Sequence, residues 1–435
     1  MRKKIIHILV ACSLLLLLVA AGCGTPAEEA NVIKIGVIGP MQFVQGEHHW
    51  FGATMARDEI NAAGGVTIGE DTYTIELIKT DSNEMLSPTD ATAAMERLIT
   101  VDKADFVIGG FRTEAVLPMQ DVAMDYETIF LGCGAATYEI NTRLAEDYDR
   151  YKYWFRVTPF HSNNLVANSL ATLGLAGAIM QGGLGLEGPL KVAILREGAQ
   201  WANDMVAAYE AYVPVALGME VVGTWRPSPT ATDLTAELTA IEASGAHFIL
   251  TIISGPIGIP YAKGLGELEI PAASVGINVE AQADGFWDAT GGFGNYETTL
   301  NTYAEGVAMT EFTIPFFDAF VEKVGQTPTY NAGTYDAIHL LVEAIERAGT
   351  LDSDAVVVEL KKTDYVGTAG RITFTQEDAE NPHDVVYGPG FVTGVATQWQ
   401  DGEMKCIWPW DWNDITYEGT VQWQIPDRVI KEYAK

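Results

Sequence analysis

Short runs of apolar, largely β-branched residues alternate with amphipathic stretches along almost the whole chain. "VIKIGVIGP", "YTIELIKTD", "ADFVIGGF" and "TIFLGCG" read as buried strands. Amphipathic stretches over 46–63, 88–100 and 114–126 accompany the first three. After "DYDRYKYWFRVTP" a second set begins, "LKVAILREG", "MEVVGTW", "AHFILTIIS" and "AASVGIN", again with helical patterns between. Strands that are apolar throughout, rather than on alternate positions, belong to parallel sheets covered by helices on both faces. Two such sets predict an α/β protein of two doubly wound, Rossmann-like lobes.

The pattern changes towards the C-terminus. "YNAGTYDAIHLLVEAIERAG" predicts a strong helix, with Ala337, Leu340, Leu341, Ala344, Ile345 and Ala348 as its apolar stripe and Gly349 as its stop. Gly333 falls on the same stripe one turn earlier, where a missing side chain lets another backbone approach. Beyond it, "GRITFT", "GFVTGVATQWQDGEMKCIWPW" and "TVQWQI" look antiparallel, with "QDGE" as a hairpin turn. The Gly-rich "MQGGLGLEGPL" is expected to be a surface insertion.

Charge and processing signals restrict the setting. Residues 1–22 read as a signal peptide: Arg2, Lys3 and Lys4 precede an apolar run, and small residues lead to Cys23. "AAGC" resembles a bacterial lipobox, which implies that Cys23 carries lipid and that residues 23–31 form a lipidated tether. Leucine is commoner where Ala20 stands. Removing three of 26 basic residues and none of 58 acidic ones takes the net charge from −32 to −35. Such a surface repels phosphate backbones, so no nucleic-acid partner is expected, and contact with the membrane is expected only through the anchor. Of four cysteines, Cys133 and Cys406 remain, with no pairing legible. No zinc-ligand spacing and no nucleophile motif occurs, so no metal, cofactor or catalytic residue is implied. About 410 residues exceed one compact core, so two domains are expected.

Open α/β sheets bind ligands at the carboxyl ends of their strands. The segments to watch are therefore 41–50, 111–113, 133–137, 196–201, 254–257 and 278–280. Together with "IKIGVIGPM…GATMARDEINAAGG", "ADFVIGGFRTEAVLPMQDVA", "YNAGTYDAIHLLVEAIERAG" and "VATQWQDGEMKCIWP", these stretches resemble the type I periplasmic binding proteins of the leucine/isoleucine/valine-binding kind. The resemblance spans nearly the whole mature chain. It implies two lobes, 32–155 with 310–364 and 156–309 with 365–435, joined by three crossovers and closing on a ligand.

The resemblance also implies site residues. Thr113 would offer a hydroxyl to the ligand's carboxylate, Ala135 backbone contacts, Thr137 a second hydroxyl, and Trp201 an aromatic cover. Each has a plainer reading: a helix cap for Thr113, a packing turn for 135–137, a structural Trp for Trp201. Pro118, tolerated in a first helical turn, suggests a helix starting at or just after Glu114, with nearby amides free for an anion. The family's amino-acid binders place an acid where this chain has Asn278, with Glu280 two residues on. The neutral Asn278 favours an organic acid at least as much as a branched-chain amino acid.

In "QGEHHWFG", His49 shares a helical stripe with Gly52, Ala53, Ala56 and Ile60 and reads as core packing. His48 lies on the flank and is expected to reach the ligand wall, beside the cationic Arg112. Arg112 is either a ligand contact or a lobe–lobe ion pair, and Arg196, next to Glu197, reads as a surface charge. The expected function is an extracytoplasmic solute-binding lipoprotein, not an enzyme, that captures a small carboxylate-bearing molecule for the permease subunits of an ABC importer. A sensory receptor of the same fold, passing its state to a signalling partner, is the alternative.

Overall fold

The computed structural model describes residues 31–228 and 230–434. The predicted signal segment and Cys23 lie outside the described residues.

The first apolar set forms one sheet: β1 (Val32–Gly39), β2 (Val66–Ile68), β3 (Asp71–Asp81), β4 (Phe106–Gly109), β5 (Phe130–Gly132) and β6 (Trp154–Arg156), in the order β2-β3-β1-β4-β5-β6. All its pairings are parallel except β2 with β3. The second set forms a parallel sheet, β10-β9-β7-β8, from β7 (Lys191–Arg196), β8 (Glu220–Trp225), β9 (Phe248–Ile253) and β10 (Ala273–Asn278). In β4, β9 and β10 every residue is buried, as strands covered on both faces must be. The two sheets are the cores of two lobes.

β11 (Thr298–Asn301), β14 (Val395–Gln400) and β15 (Glu403–Trp408) form an antiparallel sheet, and β12 (Asp364–Val366) pairs with β13 (Arg371–Thr373). The chain passes between lobes three times: after β6, after β11, and between β13 and β14. Asp401 and Gly402 both have positive φ, 54° and 90°, as the tight turn between β14 and β15 requires.

Three local expectations change. "TVQWQI" forms no strand, although its Val421 amide donates to the Cys406 carbonyl at 2.8 Å. The helix Ser162–Leu184 runs through "MQGGL" and stops only at Gly185, because Gly177 and Met180 still face the core. At Gly333 the close neighbour is a side chain: an added Cβ would lie 2.6 Å from Thr158 Cγ2, in the first crossover.

The helix Val44–Ala62 packs against Thr334–Ala348, and both cover the first sheet. His49 is fully buried there, as its stripe predicts, and Nε2 donates to the Cys133 carbonyl at 2.9 Å. That bond ties the first helix to the loop after β5. Both cysteines are free and buried, and burial pushes the Cys406 thiol up to about 11.

Candidate functional site

Between the lobes lies a cavity of about 650 Å³, counting its mouth. Its lobe I wall comes from the loops after β4 and β5, and its lobe II wall from those after β7, β9 and β10, as the carboxyl-end rule anticipates. The crossover residues Phe160 and Thr302, with Tyr330 from the turn before the helix Thr334–Ala348, close the remaining side.

On the lobe I wall, Phe111, Arg112 and Thr113 line the cavity. The helix Thr113–Asp125 begins here with Arg112 in extended conformation at its N-cap. Pro118 sits in the second turn, where its missing amide would have bonded the Glu114 carbonyl, so the helix starts earlier than its proline suggested. The amides expected to be free for an anion are not all free. Glu84, 1 % exposed, accepts from the Phe111 and Arg112 amides at 3.1 and 2.6 Å and from the Ser82 hydroxyl at 2.8 Å. A carboxylate of the protein thus occupies part of the helix's anion position. Burial, partly offset by those donors, raises its pKa to about 7.

The loop after β5 comes very close. An added Cβ at Gly134 would collide with the Gly110 carbonyl and lie 2.8 Å from Phe111 Cα, so only glycine lets the two loops touch. Gly134 and Ala136 reach the cavity, but Ala135 and Thr137 do not line it. Their carbonyls accept from Arg156, a buried guanidinium that also pairs with Asp384 at 3.0 Å. The Thr137 hydroxyl accepts from the Glu139 amide at 3.3 Å, the bond of a turn leading into the next helix. These residues hold the wall in shape from behind.

On the lobe II wall, Trp201 lines the cavity as the first residue of the helix Trp201–Leu217, and its indole N–H donates to Glu197 at 2.8 Å. Glu197 also accepts from the Ser254 hydroxyl and, at 2.8 Å, from the Gly255 amide. Ile277, Val279 and Leu300 make the rest of this wall apolar, with Gln282 among them.

Several predicted site residues fall elsewhere. Asn278 is fully buried in the lobe II core, where Nδ2 donates to Glu297 at 2.9 Å and to the Gly258 carbonyl at 3.2 Å, so its amide is not presented to a ligand. Glu280 does not line the cavity. Burial and then the charge of Glu197 raise its pKa to about 7. His48 is 1 % exposed and turned away from the cavity: Nδ1 accepts from the Thr329 amide at 3.1 Å, Nε2 donates to Gln326 at 3.1 Å, and the ring meets the edge of Phe320. Burial lowers its pKa to about 4, so it supplies no cation at neutral pH. Arg196 bonds Asn203 and two carbonyls outside the cavity.

The lobes also touch directly. The Gln200 amide donates to Glu114 at 2.7 Å and its side chain to Glu139 at 2.8 Å, from lobe II to lobe I. Asp284 accepts from the Thr327 amide at 2.6 Å. The cleft is closed. Sequence reading missed Phe160, Leu165, Gln282, Leu300 and Tyr330 as cavity residues, and Glu84 behind it. None carries a motif, and Phe160 sits on the first crossover.

The sequence profile of the periplasmic binding proteins matches residues 32–388. The chain belongs to the periplasmic binding protein family. It is an extracytoplasmic solute-binding protein, not an enzyme. The Leu/Ile/Val-binding protein homolog 8 of Brucella melitensis is 22 % identical over 392 residues, covering 87 % of this chain and 90 % of that one. Two solved structures share the fold. One is the branched-chain amino acid transporter substrate binding protein LivJ of Streptococcus pneumoniae in complex with isoleucine, with a TM-score of 0.71 and 19 % identity, covering 86 % of this chain and 98 % of that one. The other is an R. palustris ABC-transporter solute binding protein in complex with 4-hydroxybenzoate, with a TM-score of 0.67 and 20 % identity, covering 86 % and 95 %.

Proposed function

We propose that this binding protein captures a small organic acid, with its carboxylate against Arg112 and Thr113 and an aromatic or aliphatic body among Phe111, Phe160, Trp201 and Leu300. The observation that carries this reading is the charge of the lining. Among the described residues Arg112 is the one charged side chain that lines the cavity. Its nearest carboxylate within 4.0 Å is Glu114, at 3.6 Å from Nε. An α-amino acid would bring an ammonium into the closed cleft, and a buried charge needs a partner. Glu197, the carboxylate closest behind the lobe II wall, is already engaged by Trp201, Ser254 and Gly255. The relatives divide between the two ligand classes, isoleucine in one and 4-hydroxybenzoate in the other. The walls here favour the second.

The loaded protein then docks on the permease subunits, while lipid on Cys23 keeps it at the membrane. Cys23→Ala should leave the protein unprocessed or mislocalised, and membrane-held, normally processed mutant protein would exclude the anchor. A thermal-shift panel tests the ligand class. A true ligand at about 100 times its Kd adds roughly 2.7 kcal/mol. Benzoates or short aliphatic acids should raise Tm, and leucine and valine should not. A rise with leucine or valine alone would restore the amino-acid reading.

A further inference from the structure

Gln282 closes the short 3-10 turn Val279–Gln282 that follows β10, and it lines the lobe II side of the cavity. It is 3 % exposed. Its Nε2 donates to the Leu300 carbonyl at 2.9 Å, which fixes the orientation of the amide. The other end, Oε1, is buried and has no hydrogen-bond partner in the protein. Buried amide carbonyls are rarely left unpaired, because the lost solvation is not recovered.

Two other polar side chains on this side are engaged within the protein. Ser254 donates to Glu197. Asn301 Oδ1 accepts from the Thr302 amide at 2.8 Å, and its Nδ2 lies 3.6 Å from Met404 Sδ. Gln282 Oε1 is the buried amide acceptor that the protein leaves unused on a cavity-lining side chain.

The geometry points to Gln282 as a specificity-determining residue: its Oε1 accepts a hydrogen bond from a hydroxyl on the ligand, which makes the ligand a hydroxy-substituted aromatic acid. This rests on the proposal that an organic acid binds with its carboxylate at Arg112 and Thr113. Ile277, Val279 and Leu300 line the same wall of the cavity as Gln282. A neutral amide oxygen among aliphatic side chains suits a neutral O–H donor and leaves an ammonium without a countercharge. Arg112 and Gln282 stand on opposite lobes, so an acid with a ring hydroxyl is held at both ends only when the lobes close. Each lobe then reads one polar group, and closure itself becomes selective.

Titration calorimetry on the full protein tests this with benzoate, 3- and 4-hydroxybenzoate and the corresponding methoxybenzoates. The methoxy oxygen can accept but not donate. One hydroxybenzoate should bind roughly tenfold tighter than benzoate, and its methoxy counterpart should lose that gain. Gln282→Met, close in size and without the amide, should bring the ratio of hydroxybenzoate to benzoate affinity to within about twofold, whatever its effect on benzoate itself. If that variant does not fold, the wild-type ligand series still decides. Wild type that binds benzoate as well as both hydroxybenzoates overturns the role of Gln282 but leaves the organic-acid reading standing. A preference that survives in Gln282→Met does the same. Binding of leucine with no ring acid bound overturns both.

Discussion

The two walls of the cleft are built on the same device and end in different chemistry. In each lobe a buried glutamate from the end of one strand accepts backbone amides from the loop after another: Glu84 from Phe111 and Arg112, Glu197 from Gly255. The glutamates set the loops' shape and consume donors that an anionic ligand could otherwise use. What is left differs. Lobe I presents a guanidinium and a hydroxyl, from Arg112 and Thr113, while lobe II presents an indole, aliphatic side chains and one amide oxygen. On the proposed reading, selectivity resides in the few polar groups the framework does not occupy.

The parallel between the glutamates is most exposed to Glu197→Ala. The Trp201 indole, the Ser254 hydroxyl and the Gly255 amide would all lose their acceptor. A cost of about 3 kcal/mol in urea unfolding is expected, since each buried unpaired donor costs about 1–3 kcal/mol before water recovers part of it. A loss below about 1 kcal/mol would mean that the lobe II wall does not depend on this tie.

Arg112 separates the walls by charge. Arg112→Ala should weaken organic-acid binding by roughly 2 kcal/mol, the scale of a hydrogen bond to a charged group, with little change in the ligand-free unfolding midpoint. Calorimetry showing unchanged affinity would shift the anion site away from lobe I.

pH distinguishes Glu84 from an ordinary surface acid. Its folded pKa, about 7, lies above the usual 4.5 because burial disfavours the charge. Its contribution to stability is thus whole below pH 4.5 and is lost as pH rises through 7. Glu84→Gln mimics the protonated form. It should gain on wild type between pH 5 and 8 by about 2 kcal/mol, because each tenfold difference in proton affinity between the folded and unfolded chain is worth about 1.36 kcal/mol. A stability difference that stays flat across that range would show the carboxylate to be charged throughout.

The smallest effect belongs to the contacts between the walls. Gln200→Ala removes the side-chain bond to Glu139 but keeps the amide bond to Glu114. It should cost about 1 kcal/mol of ligand affinity, expressed as faster dissociation in stopped-flow fluorescence. An unchanged off-rate would mean that this bond does not hold the cleft shut.

Much of the architecture was legible because burial on both faces leaves a mark in one dimension. The runs that became β1, β4, β5, β7, β9 and β10 are apolar without alternation, and the stripe of Thr334–Ala348 repeats at helical spacing, whereas β3 and β8, also read as buried strands, are largely exposed or half-buried, with one buried residue in β3 and none in β8. The carboxyl-end rule brought Arg112, Thr113 and Trp201 to the cavity from the ends of separate strands. His49 followed from its stripe. His48 did not, because its flank faces Phe320, Gln326 and Thr329, residues some 280 positions away whose approach no local period encodes.

By itself the sequence determined two parallel α/β lobes, an acidic extracytoplasmic chain and the loops that meet a ligand, since each depends on patterns within a few tens of residues. Tertiary structure alone decided which polar groups in those loops stay available. Asn278 ends β10 and Glu197 follows β7, and the partners of neither are legible in one dimension. Contacts with Glu297 and with Trp201, Ser254 and Gly255 turn them inward, while Gln282, with no signal in its surroundings, lines the cavity and leaves its acceptor without a protein partner. A buried polar group must be paired, and which partner reaches it first is settled by packing between distant segments.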